Sequence, residues 1–127
     1  MQTLKLLVVD DEPMIRVTLE AALEDGGYST QFAASAEEAF KVLDDPDEIF
    51  AAVVTDVRLT GRVTGWDVAR RARELNPSMP VVYITGDSGV DWAANGVPNS
   101  ILITKPFALA QVVTAVSQLL NTDSSPP

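Results

Sequence analysis

Cysteine and histidine are both missing from this 127-residue chain. Without thiols there is no disulfide framework and no thiolate chemistry. Without imidazole, the Ser/His and Cys/His mechanisms and histidine metal sites are excluded. Positive charge is scarce as well: 9 Lys and Arg stand against 18 Asp and Glu, a formal charge of −9. Such a surface repels phosphate backbones and anionic lipid, so neither direct nucleic-acid binding nor membrane binding is expected. No apolar run approaches the ~20 residues of a membrane span, and the start Met1-Gln2-Thr3-Leu4-Lys5 lacks the long apolar region of a signal peptide. A cytoplasmic protein is the expectation. Any chemistry falls to carboxylates, hydroxyls and lysine. The length and a hydrophobic content of 46% suit one domain with a substantial core.

What is present is an alternation of apolar runs and helical patterns. Leu4-Lys5-Leu6-Leu7-Val8-Val9, a mixed run from Tyr28 to Ala33, the apolar run from Phe50 to Leu59 around Asp56, Pro80-Val81-Val82-Tyr83-Ile84-Thr85-Gly86 and Ile101-Leu102-Ile103-Thr104 read as five strands. The mixed second run suits a strand nearer the sheet edge. Pro13 opens a helix with Ile15, Leu19, Ala22 and Leu23 on one face, and Gly26-Gly27 stops it. Ser35-Ala36-Glu37-Glu38 reads as a capping box before a helix with Ala36, Ala39, Phe40 and Leu43 inward. The loop from Gly61 to Gly65 leads to a third helix with Val68, Ala69, Ala72 and Leu75 inward, and Asn76-Pro77 ends it. Asp87 to Pro98 has room for only a short helix, and the last helix turns Leu109, Val112, Val113, Val116 and Leu120 inward. Alternation of this kind builds an α/β fold, a doubly wound parallel sheet with helices on both faces. Asn121 to Pro127 reads as a frayed polar tail, with the domain over residues 1–121 and residues 122–127 disordered.

Strands apolar on both faces are buried in a parallel sheet, and open α/β sheets bind ligands at the strands' carboxyl ends. Three strands end in charge there: the first in Asp10-Asp11, the third in Asp56, the fifth in Lys105-Pro106. Each acid has a bland explanation, since an aspartate after a strand commonly caps a helix, and for Asp11 alone capping is the better reading. Jointly, three carboxylates at one rim repel one another unless a proton or a divalent cation intervenes, and hard oxygen ligands suit Mg²⁺. Glu12 reads as a solvated residue of the first helical turn. Lys105 is delivered by a buried strand rather than left on the surface, and its bond to Pro106 is a candidate cis peptide. Thr85 either serves strand geometry or, with Gly86 leaving open space beside it, presents a hydroxyl to the rim.

Val8-Val9-Asp10-Asp11-Glu12-Pro13, Val53-Val54-Thr55-Asp56-Val57-Arg58-Leu59, Ile84-Thr85-Gly86 and Thr104-Lys105-Pro106-Phe107 resemble the receiver domain of two-component response regulators, over nearly the whole chain. The resemblance implies a flavodoxin-like sheet in the order 2-1-3-4-5. It makes Asp56 the phosphoacceptor, with Asp10, Asp11, Asp56 and the backbone carbonyl of Arg58 holding Mg²⁺ and with Thr85 and Lys105 contacting the phosphoryl oxygens. The implied partner is a sensor histidine kinase or a histidine phosphotransfer protein, with an effector protein downstream. The implied catalysis is confined to the protein's own phosphorylation and dephosphorylation, so it is a switch rather than an enzyme.

The chain departs from the family pattern in three ways. Thr60 stands where most receivers have proline, Gly65 comes one position late, and Leu102 occupies the place of the aromatic that rotates on activation. Tyr83, two residues before Thr85, is either a displaced switch residue or ordinary strand packing. The Tyr83-Ile84-Thr85-Gly86 run is similar to a receiver subgroup with Phe-Ala-Thr-Gly there, often seen as stand-alone proteins. Two other readings compete. A haloacid-dehalogenase-type phosphatase needs a second acid where Arg58 stands, and an unphosphorylated protein-binding module has no need of the full acid, threonine and lysine set. The chain either works by docking to a partner as it is or is a fragment cut from a larger regulator.

Overall fold

The computed structural model describes residues 3–86 and 90–124. Five parallel strands, β1 (Lys5–Val9), β2 (Ser29–Ala33), β3 (Ala52–Asp56), β4 (Val81–Thr85) and β5 (Ile101–Thr104), form one sheet in the order β2-β1-β3-β4-β5. Alternate residues point to opposite faces, and both faces are covered, so the central strands carry apolar residues on both faces until the polar residues at their carboxyl ends. Leu7, Val9, Val53, Val81 and Tyr83 pack against α2 (Ala36–Asp44) and α3 (Gly65–Leu75). Leu6, Val8, Val54, Val82 and Ile84 pack against α1 (Pro13–Asp25) and α5 (Leu109–Ser124). Burying each such side chain contributes about 1.5–3 kcal/mol. The edge strand β2 is only half-buried, as its mixed composition predicts. A short helix, α4 (Val90–Asn95), lies between β4 and β5.

Register brings the strand ends to one rim: Val9 lies beside Thr55, Asp56 beside Ile84 and Thr85 beside Thr104. The strand order reverses at β1, so the crevice for a ligand opens where the ends of β1 and β3 meet.

Several boundaries differ from the sequence-based expectation. Leu75 and Leu109, expected inward, are 48% and 39% exposed. Each is the terminal residue of its helix, and the buried Met79 closes the core beyond α3 in place of Leu75. Helix α5 runs to Ser124, three residues past Asn121, since no proline interrupts it before Pro126. Residues 125–127 of the expected tail lie outside the described residues. At Ser35 only half of the capping box forms. The Ser35 hydroxyl accepts the Glu38 amide at 3.2 Å, but the Glu38 carboxylate takes the amide of Ala34, at 2.5 Å, rather than that of Ser35.

Candidate functional site

Asp56 is the last residue of β3 and only 4% exposed. One carboxylate oxygen accepts the Arg58 amide at 3.2 Å and the other the Lys105 ammonium at 3.0 Å. Burial raises its pKa, and these two donors only partly offset that. Burial pushes the Lys105 ammonium down, but the hydrogen bond and charge of Asp56, with Asp10 and Glu12 behind it, outweigh burial and raise it. The ion pair is therefore the site's resting contact. Lys105 reaches it from the end of β5 through a cis bond to Pro106.

Asp10, 1% exposed, follows β1 directly. Its Oδ1 accepts the Glu12 amide at 2.8 Å, while its Oδ2 is buried without a hydrogen-bond partner. Burial first, and then the Asp56 charge, pushes its pKa up to about 6 against the pull of the Glu12 amide. Asp11 is half-buried, and its Oδ2 accepts the Thr60 hydroxyl at 2.6 Å. Asp10, Asp11, Glu12 and Asp56 each place a carboxylate oxygen within 4.8 Å of the others. Glu12, set aside on sequence grounds, thus joins the group, and its side chain also stands 3.5 Å from Lys105. Four hard anionic donors, one of them with an orphaned, buried oxygen, fit a small divalent cation such as Mg²⁺. Arg58 sits two residues past Asp56 with its side chain exposed.

Thr85 ends β4 and is 3% exposed, and its carbonyl accepts the Lys105 amide at 2.7 Å, tying β4 to the lysine. Gly86 beside it is exposed, and a Cβ placed there meets nothing within 4 Å. Gly89 lies outside the described residues. Tyr83 is fully buried. Its ring lies 4.7 Å from that of Trp66, tilted by 58°, and its hydroxyl accepts the Val97 amide at 3.1 Å. Leu102 pairs with Tyr83 across β4 and β5 and is partly buried against the same cluster.

Thr60, in the β3–α3 loop, and Gly65, the first residue of α3, carry more of the site than the sequence reveals. A Cβ on Gly65 would fall 2.0 Å from the Asp56 carbonyl oxygen, so only glycine lets α3 start against the end of β3, where the Gly65 amide donates to Val57 at 2.9 Å. The late position of this glycine in the chain is absorbed by the loop before it, in which Gly61 takes a φ of +104°. Thr60, notable in the sequence only as a missing proline, reaches Asp11.

A family model described as the response regulator receiver domain matches residues 6–117. An NtrX-like response regulator from Rickettsia conorii is 34% identical over 110 residues, 84% of this chain and 23% of that protein. The chain spans between 23% and 51% of the length of the curated relatives it matches. The crystal structure of a response regulator receiver protein from Sinorhizobium medicae superposes with a TM-score of 0.91 at 43% identity, covering 94% of this chain and 96% of that one. The receiver domain of the sensor histidine kinase PA1611 from Pseudomonas aeruginosa has a magnesium ion in its active-site cleft. It shares the fold at a TM-score of 0.79 and 20% identity, over 94% of this chain and 99% of that one.

Proposed function

The chain belongs to the response regulator receiver family, and from that premise we propose that it is a phosphoacceptor switch of a two-component or phosphorelay system. A phosphohistidine of a sensor kinase or a phosphotransfer protein donates the phosphoryl group. An Asp56 carboxylate oxygen forms the new bond to phosphorus as the phosphorus–nitrogen bond breaks, and the departing imidazole keeps the electron pair. Hydrolysis by water returns Asp56 and inorganic phosphate. No general base is needed, because the nucleophile is already ionised when paired with Lys105. The lysine ammonium, 3.0 Å from Asp56, is placed to follow the negative charge onto the phosphoryl oxygens, and the Thr85 hydroxyl adds a donor at the same rim. Asp10, Asp11, Asp56 and the Arg58 carbonyl would hold Mg²⁺, which when bound supplies positive charge beside the incoming phosphoryl group.

The observation that carries this reading is the buried Asp56 held between Lys105 and the Arg58 amide inside a cluster of three further acids. The test is incubation with acetyl phosphate and Mg²⁺ followed by mass spectrometry. A single aspartyl phosphate at position 56 is expected, lost in Asp56→Asn with the fold unchanged by circular dichroism. A phosphate on another aspartate would refute the acceptor assignment. No uptake at all would favour an unphosphorylated binding module, and rapid release of phosphate over many turnovers a phosphatase.

A further inference from the structure

The acids of the rim repel one another, and each that keeps its place has its own holder. Asp56 is held by Lys105 and the Arg58 amide, and Asp10 by burial and the Glu12 amide. Asp11 is more exposed than Asp10 and Asp56, free on electrostatic grounds to swing into water, where a high dielectric weakens the repulsion. What holds it is the Thr60 hydroxyl, donating to Asp11 Oδ2 at 2.6 Å from 49 residues away. Thr60 is itself well placed to do this. Leu59 before it is buried at 8% exposure, and Gly61 after it turns the chain through a φ of +104°, so the hydroxyl projects from an anchored loop.

We infer that Thr60 is a positioning residue for the metal site: by occupying one oxygen of Asp11 it holds the carboxylate in the cluster and leaves the other oxygen for the cation. This rests on the Mg²⁺ reading proposed above. Outer-sphere partners of this kind orient ligating carboxylates, and their loss weakens metal binding about 10–100-fold. A hydrogen bond to a carboxylate also lowers its electron density, which works against binding. The orienting effect dominates here because an unheld Asp11 must be drawn back against the charges of three other carboxylates.

The experiment titrates MgCl₂ into the wild type, Thr60→Val and Thr60→Ser by calorimetry at constant ionic strength, alongside the ¹³C carboxyl resonances of the metal-free proteins. Thr60→Val, which keeps the shape and removes the hydroxyl, is expected to weaken Mg²⁺ binding by about tenfold. It should also move the Asp11 resonance, with those of Asp10 and Glu12 little changed. Thr60→Ser should restore both. Unchanged or tighter binding in Thr60→Val, with the wild type binding normally, overturns the inference and leaves the metal reading intact. Equal weakening in Thr60→Ser also overturns it, by assigning the effect to the loop rather than the hydroxyl. Absence of Mg²⁺ binding in the wild type removes the metal reading and this inference with it.

Discussion

At the scale of single residues, Asp10 sets a measurable trade between stability and function. Its carboxyl titrates at about 6 in the folded protein against an ordinary value of 3.8. The folded state therefore binds the proton more tightly than the unfolded chain does. The resulting stabilisation is complete below pH 4 and is lost as pH rises through about 6. In the metal-free protein Asp10→Asn should remove that loss, raising stability at pH 8 by on the order of 2–3 kcal/mol, with the gain vanishing near pH 4. Urea titrations at the two pH values check this, and equal gains at both would contradict it. Gly65 makes the opposite case. Gly65→Ala forces a Cβ against the Asp56 carbonyl oxygen, where it would lie at 2.0 Å, so either α3 or the end of β3 must shift. A destabilisation of roughly 3 kcal/mol is expected, together with a loss of acetyl phosphate reactivity larger than the stability change explains. Retention of wild-type stability would show that the loop gives way freely.

Among the elements, β4 joins the candidate site to α4. Its last residue, Thr85, stands at the rim, and two residues earlier the buried Tyr83 hydroxyl accepts the Val97 amide just beyond α4. Tyr83→Phe keeps the packing on Trp66 and leaves the Val97 amide unpaired. It should cost about 1–2 kcal/mol, and hydrogen exchange should show the loss of protection at Val97 and α4 before the rest of the fold. If protection there is unchanged, the hydroxyl does not tether α4. Trp92, which is 36% exposed on α4 and donates to the Ser100 hydroxyl at 2.9 Å, would report a signal carried along the same route. With Trp66→Phe as background, beryllofluoride and Mg²⁺ should change Trp92 fluorescence, and Thr85→Ala should reduce the change. Equal responses would remove Thr85 from the route.

Over the whole molecule, a formal charge of −9 opposes compaction, and four acids share one rim. Sodium chloride should raise the melting temperature by general screening. MgCl₂ at matched ionic strength should raise it further, because a cation held only by the folded state adds roughly 1.4 kcal/mol at ten times its dissociation constant. Differential scanning calorimetry of the wild type and Asp56→Asn checks this. The excess effect of Mg²⁺ should shrink in the variant, and equal excess in both would place the cation elsewhere. No helix among the described residues is long and apolar enough to cross a membrane.

Much of this architecture is written in local pattern. Val8-Val9-Asp10 and Val53-Val54-Thr55-Asp56 announce buried parallel strands ending in acid, because apolar periodicity and the charge that stops it are properties of neighbouring residues. That is why the strand order and the meeting of Asp10, Asp11, Asp56, Thr85 and Lys105 at one rim follow from sequence and family likeness alone. Folding decided what depends on the approach of segments far apart in the chain. The Thr60 hydroxyl found Asp11, α3 closed on the Asp56 carbonyl at Gly65, Tyr83 took the Val97 amide and Glu12 turned toward Lys105. None of these contacts has a period or a spacing to betray it. Each is set by how a loop is steered between packed helices and strands, a three-dimensional constraint that short-range sequence pattern does not encode.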